Sequence, residues 1–326
     1  MTATRYATPA AFKQALEDRI RRHARAEGID MGRFRQLQLF DRWLARVFAE
    51  LGDRVVVKGG VVLELRLARA RTTRDVDLGI WGDPDTALER LQAAGRRDLG
   101  DFLSFIVVPD REHPTLEGEG MPYGGRRFRV ETRLAGQLYG MPFGVDVGIA
   151  DAMTTAADVM AGSSFFAFAG VAPAALRLYP RVIHVAEKLH AYTMPRRREN
   201  SRVKDLPDLA LLATTGTFAA VELRRALAHT FGFRGTHALP SNLPDPPASW
   251  APAYERMAAE DSLRWATLPD VLAAARAFLD PVLGDEAGTW DPGAWGWRRA
   301  AGDYAEQRLI LDELTAEGEK LGEYGK

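Results

Sequence analysis

Seven residues, Thr73-Arg74-Asp75-Val76-Asp77-Leu78-Gly79, set two carboxylates two positions apart in an apolar run that follows closely on Lys58-Gly59-Gly60. In a strand, residues i and i+2 share a face, so Asp75 and Asp77 are expected side by side. Like charges that close disfavour joint ionisation unless a cation lies between them. Mg²⁺ suits such a pair, because it binds one or two carboxylates and completes its shell with water and substrate phosphate. The glycine pair breaks one strand and opens a helix, where backbone N–H groups and the helix dipole favour an anion. Without a Cβ, Gly59 and Gly60 let a triphosphate approach that backbone. A third acid is expected on a neighbouring strand, and Asp146, in Val145-Asp146-Val147, is the candidate. Three acids can hold two divalent ions, one on a triphosphate and one lowering the pKa of an attacking hydroxyl. In-line phosphoryl or nucleotidyl transfer requires that arrangement.

Each piece alone has a plainer reading. A glycine pair is a common turn, an Asp-x-Asp pair often ends a solvated strand, and Asp146 alone would cap or pair with an arginine. Their order is what carries the inference: strand, Gly-Gly, helix, Asp-x-Asp strand, then a later strand with one acid.

The rest of the chain bounds the answer. Its 326 residues suffice for two or three domains. Apolar residues at 46% and charged residues at 27% make it globular rather than disordered. No run approaches the roughly 18 apolar residues of a membrane span, and the first residues lack the apolar centre of a signal peptide. The absence of cysteine excludes disulfides and thiolate metal sites and fits a reducing cytoplasm. With a formal net charge of -1, any nucleic-acid surface must be local. Two basic stretches qualify: Arg19, Arg21, Arg22 and Arg25 on an early helix, and Arg196-Arg197-Arg198 with Arg202 and Lys204. There is no phosphate-binding Gly-x-x-x-x-Gly-Lys loop, no His-Glu-x-x-His and no Gly-x-Ser-x-Gly.

Periodicity predicts helices over 9–26 and 34–51, the second with Leu37, Phe40, Trp43, Leu44 and Phe48 on one side. A short strand at Val55-Val56-Val57 leads into the glycine pair and a helix to Ala68. Strands are expected at 75–81, 102–108, 127–133 and 142–149, with a short one at 165–171. Beyond Pro180 helices dominate, at 182–194, 203–214, 218–230, 251–262 and 268–283, with a last one near 300–320. A Pro-rich stretch at 239–252 reads as a long loop, and the late tryptophans read as packing, with a base-stacking surface as the sharper alternative. The fold class is therefore α/β (α+β): a mixed-sheet domain with N-terminal helices over 1–175, then an α-helical domain over 176–326.

Lys58-Gly59-Gly60 with Arg71-Thr72-Thr73-Arg74-Asp75-Val76-Asp77 resembles the first motif of the AbiEii/AbiGii-type nucleotidyltransferase toxins, members of the DNA polymerase β-like superfamily. Gly60 stands where many members have serine. A second cluster is similar to the family's helical Glu-Lys-Leu and its Arg-x-Lys-Asp-x-x-Asp-Leu motifs: Glu187-Lys188-Leu189, then Arg202-Val203-Lys204-Asp205-Leu206-Pro207-Asp208-Leu209. The resemblance covers roughly residues 40–215. It implies a Mg²⁺- or Mn²⁺-dependent enzyme that moves a nucleoside monophosphate from an NTP to an acceptor hydroxyl. The expected acceptor is an RNA, with the tRNA 3′ end the best guess, and a cognate antitoxin is an implied partner in phage defence. By the same resemblance Asp75, Asp77 and Asp146 would hold metal. Lys58, Gly59, Gly60, Arg74, Lys188, Arg202 and Lys204 would hold the nucleotide, and Asp205 would join the catalytic set. Arg196, Arg197 and Arg198 would face RNA, or form a solvated loop. For Asp205, a helix N-terminal acid serving only the dipole weighs equally with a direct role. A small-molecule or protein hydroxyl as acceptor, and a nucleotide-binding regulator without turnover, remain alternatives.

Overall fold

The computed structural model describes residues 5–67, 70, 72–116, 124–149, 156–196, 202–284 and 288–298. The chain divides into two compact units, Met1–Pro180 and Arg181–Lys326.

The first unit opens with two helices, α1 (Pro9–Glu27) and α2 (Met31–Leu51). Thr8 caps α1, its hydroxyl accepting from the Ala11 N–H, and Pro9 supplies the preset first turn. Asp30 caps α2 in the same way through Arg33 N–H at 2.7 Å. Then follow β1 (Val55–Lys58), α3 (Gly60–Arg66), β2 (Asp75–Ile80), α4 (Ala87–Arg96), β3 (Leu103–Pro109), β4 (Thr115–Leu116), β5 (Gly125–Leu134), β6 (Gln137–Leu138), β7 (Phe143–Ile149), β8 (Asp158–Ala161) and β9 (Ala175–Leu178). The strands form one mixed sheet in the order β3-β5-β7-β2-β1-β9-β8, with β4 and β6 paired to β5. The pairs β2–β7 and β1–β9 run parallel, and the others are antiparallel.

Alternation along these strands separates two faces. Val76, Val145 and Phe128 lie across β2, β7 and β5 in register and are buried. They share one core with Phe12 and Leu16 of α1, Phe40 and Trp43 of α2, and Leu91 of α4. The residues between them, Asp77, Asp146 and Arg127, point to the opposite face.

Helix α2 buries more than its apolar stripe. Arg42 and Arg46 are also buried, and both reach the buried Asp101 ahead of β3. Arg46 donates as well to the carbonyls of Arg42, Arg97 and Leu103, so its fork is well satisfied. This polar clamp ties α2 to the edge of the sheet.

The structure departs from the sequence-based expectation at three places in this unit. The segment expected as a strand at 165–171 holds a 3₁₀ turn, Ser164–Ala169, capped by the Ser163 hydroxyl. Strands β4, β6, β8 and β9 were not expected. A boundary at 175/176 would cut through β9, which is bonded to β1 and β8, whereas the division falls after Pro180.

The second unit contains α5 (Arg181–Thr193), α6 (Asp205–Ala213), α7 (Ala220–Arg234), α8 (Ala251–Glu260) and α9 (Leu268–Leu283). It is not wholly helical. Strands β10 (Phe218–Ala219), β11 (Thr289–Asp291) and β12 (Gly296–Arg298) make a three-stranded antiparallel sheet. Its tryptophans pack: Trp290 is fully buried and donates to the Ala213 carbonyl, while Trp297 donates to Phe278 and stacks on its ring. The helix expected near 300–320 lies outside the described residues.

Candidate active site

Four charged side chains stand in one row across four strands of the first unit. Lys58 on β1 opposes Asp77 on β2, Asp77 opposes Asp146 on β7, and Asp146 opposes Arg127 on β5. Opposed residues in neighbouring strands, about 4.8 Å apart, project from the same face. The row therefore reads plus, minus, minus, plus. Asp75, two residues before Asp77, lies on the same face and opposes Gly144.

Two glycines make room for the acids. A Cβ on Gly59 would lie 1.8 Å from Asp77 Oδ2, and one on Gly144 would lie 2.4 Å from Asp75 Oδ1. Gly59 also has φ +72°, which disfavours an L side chain. Asp77 thus leans over the turn after β1, and Asp75 leans over β7. Gly59 caps α3, a helix of two turns whose first residue, Gly60, is buried. Lys58 extends toward β7, its Nζ 3.6 Å from where a Cβ on Gly148 would be. Arg74 is exposed immediately before Asp75.

Asp146 lies where expected but is engaged. Arg127 donates from Nε to Oδ1 and from Nη2 to Oδ2, each at 2.7 Å. Its guanidinium pKa is raised first by that bonding and by the charges of Asp146, Asp75 and Asp110. Among the described residues no three His, Asp or Glu side chains converge in a metal-holding group, while the register sets Asp146 directly opposite Asp77 on the face that carries Asp75. The residues do fit a single hard cation. Asp75 and Asp77 supply carboxylate oxygens from one strand face, kept clear by Gly59 and Gly144, which is the donor set Mg²⁺ prefers.

Glu64 sets the loop that leads to these acids. Its side chain is buried in α3, accepts from the Thr73 N–H, and is paired with Arg33, which also bonds the Ala70 carbonyl. An acid within Val61-Val62-Leu63-Glu64-Leu65 was the signal available for it.

The second unit carries its own charged cluster. Lys188 Nζ lies 2.8 Å from Asp205 Oδ1 and 2.8 Å from Asp208 Oδ2, with 14% of the lysine side chain exposed and the acids buried. Asp205 opens α6 and Asp208 follows one turn later, so both face Lys188 from the helix's first turn. Asp205 is thus a helix N-terminal acid and an ion-pair partner at once. Asp208 belongs to the cluster although the sequence reading assigned it no role. Arg202 stands 3.8 Å from Asp205, and Lys204 is exposed at the cap. Glu187 pairs with Arg234, and His190 bonds Thr236, so both serve packing. Arg196 donates to the Ala191 carbonyl at the end of α5. Arg197 and Arg198 lie outside the described residues.

A strand, glycine turn and helix followed by two acids on one strand face, with a third on its parallel neighbour, define a nucleotidyltransferase. The chain belongs to the family described as "Nucleotidyl transferase AbiEii toxin, Type IV TA system", which it matches over residues 42–281. It is a nucleotidyltransferase toxin of a type IV toxin–antitoxin system, and that family implies an antitoxin partner. Its fold is similar to that of MenT4, a nucleotidyltransferase toxin from Mycobacterium tuberculosis H37Rv, with TM-score 0.50 and 20% identity over 95% of this chain and 99% of that one. The JHP933 protein of Helicobacter pylori is more distant, with TM-score 0.40 and 14% identity over 89% of this chain and 97% of that one. No curated protein matches. No helix among the described residues is long and apolar enough to cross a membrane.

Proposed function

We propose that this toxin transfers a nucleoside monophosphate from an NTP to the 3′ hydroxyl of an RNA, with tRNA as the acceptor, in the cytoplasm. The observation that carries the reading is Asp75 and Asp77 on one strand face, set beside Gly59 and Gly144, in line with Asp146. Asp75 and Asp77 would hold Mg²⁺ or Mn²⁺. The bound ion would neutralise phosphate charge and lower the pKa of the attacking hydroxyl.

The chain's own groups do the rest. The acceptor oxygen attacks the α-phosphorus, the bond to the bridging oxygen breaks, and pyrophosphate leaves. Lys58, at the end of the charge row, offers an ammonium to the triphosphate, and the Gly59-Gly60 turn lets it approach the backbone. Asp146 stands next to Asp77 to draw off the hydroxyl proton. Lys188, Arg202, Lys204 and Arg74 supply further positive charge for phosphates, and Arg196 with its neighbours would face RNA. Asp205 and Asp208 fix the Lys188 ammonium in place.

The test is to incubate the purified protein with Mg²⁺, total RNA and each α-labelled NTP in turn. Label in RNA of tRNA size, with binding that weakens as salt rises, is the expected result. Label in protein or a small molecule would reassign the acceptor. Bound NTP without any labelled product would reduce the protein to a nucleotide-binding regulator.

A further inference from the structure

In an in-line transfer the attacking oxygen and the departing pyrophosphate lie on opposite sides of the α-phosphorus. Lys58 and the Gly59-Gly60 turn, which would take the triphosphate, border the acids on the β1 side. The acceptor must therefore approach over the other side, where the same face of the sheet continues across β7, β5 and β3. There Asp75 opposes Gly144, Gly144 opposes Arg129, and Arg129 opposes Val108. The next pair on that face is Glu131 and Ile106. With strands about 4.8 Å apart, Val108 stands roughly 14 Å from Asp75 along a row in which Gly144 puts up no side chain.

Arg129 is exposed, and among the described residues it makes no hydrogen bond or ion pair. Its neighbours on the face are engaged, Arg127 by Asp146 and Arg133 by Glu131. Ile106 and Val108 are 47% and 41% exposed, on a strand whose other side chains are buried in the core. The solvent face of an antiparallel strand is ordinarily polar, so two adjoining aliphatic side chains beside a site mark a contact surface. That surface is the face of β3 and not its edge, because Gln92 of α4 donates to the Val107 carbonyl and Gly95 packs against that of Phe105. An aliphatic floor bordered by an unengaged guanidinium suits a single nucleic-acid strand, with base faces on the floor and a phosphate on the arginine. In a helical RNA the base faces are stacked away, so only an unpaired end can use such a floor.

We propose that the face of β5 and β3 is the acceptor subsite: Arg129 binds a phosphate of the RNA strand, and Val108 and Ile106 carry its unpaired bases, so that the 3′ end is laid along the row toward Asp75. This inference rests on the proposed transfer to RNA and names the surface that delivers the hydroxyl. The three side chains bind the acceptor and leave the triphosphate to the β1 side. They also set a preference for a single-stranded end over a helical one.

The experiment measures binding of a fluorescein-labelled single-stranded oligoribonucleotide to the full-length protein by anisotropy at several salt concentrations, and transfer of α-labelled nucleotide to total tRNA. Arg129→Gln should weaken oligonucleotide binding about tenfold and flatten the slope of log Kd against log salt by roughly 0.7. It should raise KM for tRNA by a similar factor and leave KM for NTP within about twofold of wild type. Ile106→Thr with Val108→Thr keeps strand propensity and should weaken binding about fivefold with the salt slope unchanged. Arg126 pairs with Asp85 from the opposite face of β5, and Arg126→Gln should change neither quantity. Oligonucleotide left unbound by the wild type, or bound equally well by the folded Arg129 and aliphatic variants, would overturn the subsite while transfer to tRNA still stands. A rise in KM for NTP and not for tRNA in Arg129→Gln would overturn it too, by placing that guanidinium on the triphosphate. Should the variants not fold, ultraviolet crosslinking of a 4-thiouridine oligonucleotide to the wild type decides. Crosslinks within 103–109 or 125–134 are expected, and crosslinks only elsewhere would overturn the subsite. No transfer of label to RNA by the wild type would overturn the reading of the acceptor and this inference with it.

Discussion

At the scale of single residues, the centre depends on what is missing as much as on what is present. Gly59 and Gly144 hold no functional group, yet a methyl on either would overlap a carboxylate. Gly59→Ala adds backbone strain of about 1–3 kcal/mol, because its φ of 72° and ψ of -159° fall in a region that essentially only glycine adopts, and displaces Asp77. Gly144→Ala adds little strain and should only push Asp75 aside. The expected outcome is a folded Gly144→Ala protein, its melting temperature close to wild type, with cation affinity and nucleotide transfer reduced by tenfold or more, on the order of one lost ligand. An unchanged affinity would show that Asp75 does not need the space over Gly144. Residues of this kind are hard to read from sequence. Asp75 and Asp77 announced themselves by their spacing, whereas Gly144 and Arg127 matter only through the register of β7 with β2 and β5, which no local pattern states. Glu64 and Asp208 left weaker signals, an acid in an apolar helix and an Asp-x-x-Asp spacing.

At the scale of elements, ion pairs fasten one helix to the next. Lys188 on α5 sits between the buried Asp205 and Asp208 of α6. Lys188→Ala would remove the ammonium that two buried carboxylates share, at a cost of about 3–5 kcal/mol. A thermal melt should register this directly, and adding Asp205→Asn and Asp208→Asn should recover part of it. Any kinetic effect of Lys188→Ala on NTP use must be read against that loss. A second link joins α5 to the loop after α7. The Thr193 hydroxyl donates to the Leu189 carbonyl, so His237 Nε2–H donates to Thr193. Its Nδ1 then accepts from Thr236, which in turn accepts from His190 Nε2–H. Both rings are neutral in this chain. Burial, aided by Arg234 and His237, pushes His190 down to about 4. A histidine with a depressed folded pKa adds stability above its unfolded value near 6.5, and that stability is lost as pH falls toward about 4. The melting temperature should therefore drop across this window, and His190→Gln should flatten the slope. A slope identical in both proteins would contradict the assignment. Long helices and the strands around the acids were legible in sequence because glycine, proline and periodicity mark their limits. Strands β8 and β9, four residues each, exist because β1 offers an edge to β9 and β9 offers one to β8, and Phe165-Phe166 sits in a 3₁₀ turn because aromatic packing under α1 overrides strand propensity.

At the scale of the whole molecule, the acids and the glycines that serve them all lie in the first unit, and the Lys188 cluster lies in the second. A fragment of residues 1–180 retains every strand of the large sheet, whereas one ending at 175 cuts β9. The longer fragment should fold cooperatively and bind Mn²⁺ with an affinity close to that of the full chain, on the order of a fewfold difference. The shorter one should melt lower or aggregate, and circular dichroism with the ion count separates the two. The family resemblance supplied the activity class. The charge row that gives it a physical basis became visible only in the assembled sheet.

The most direct measurement compares α-labelled and γ-labelled NTP in the presence of RNA and Mg²⁺, for the wild type and for Asp75→Asn and Asp77→Asn. The account predicts that α-label enters RNA while γ-label is released as pyrophosphate, and that both variants lose incorporation without losing their thermal transition. Incorporation by the variants at the wild-type rate would contradict it.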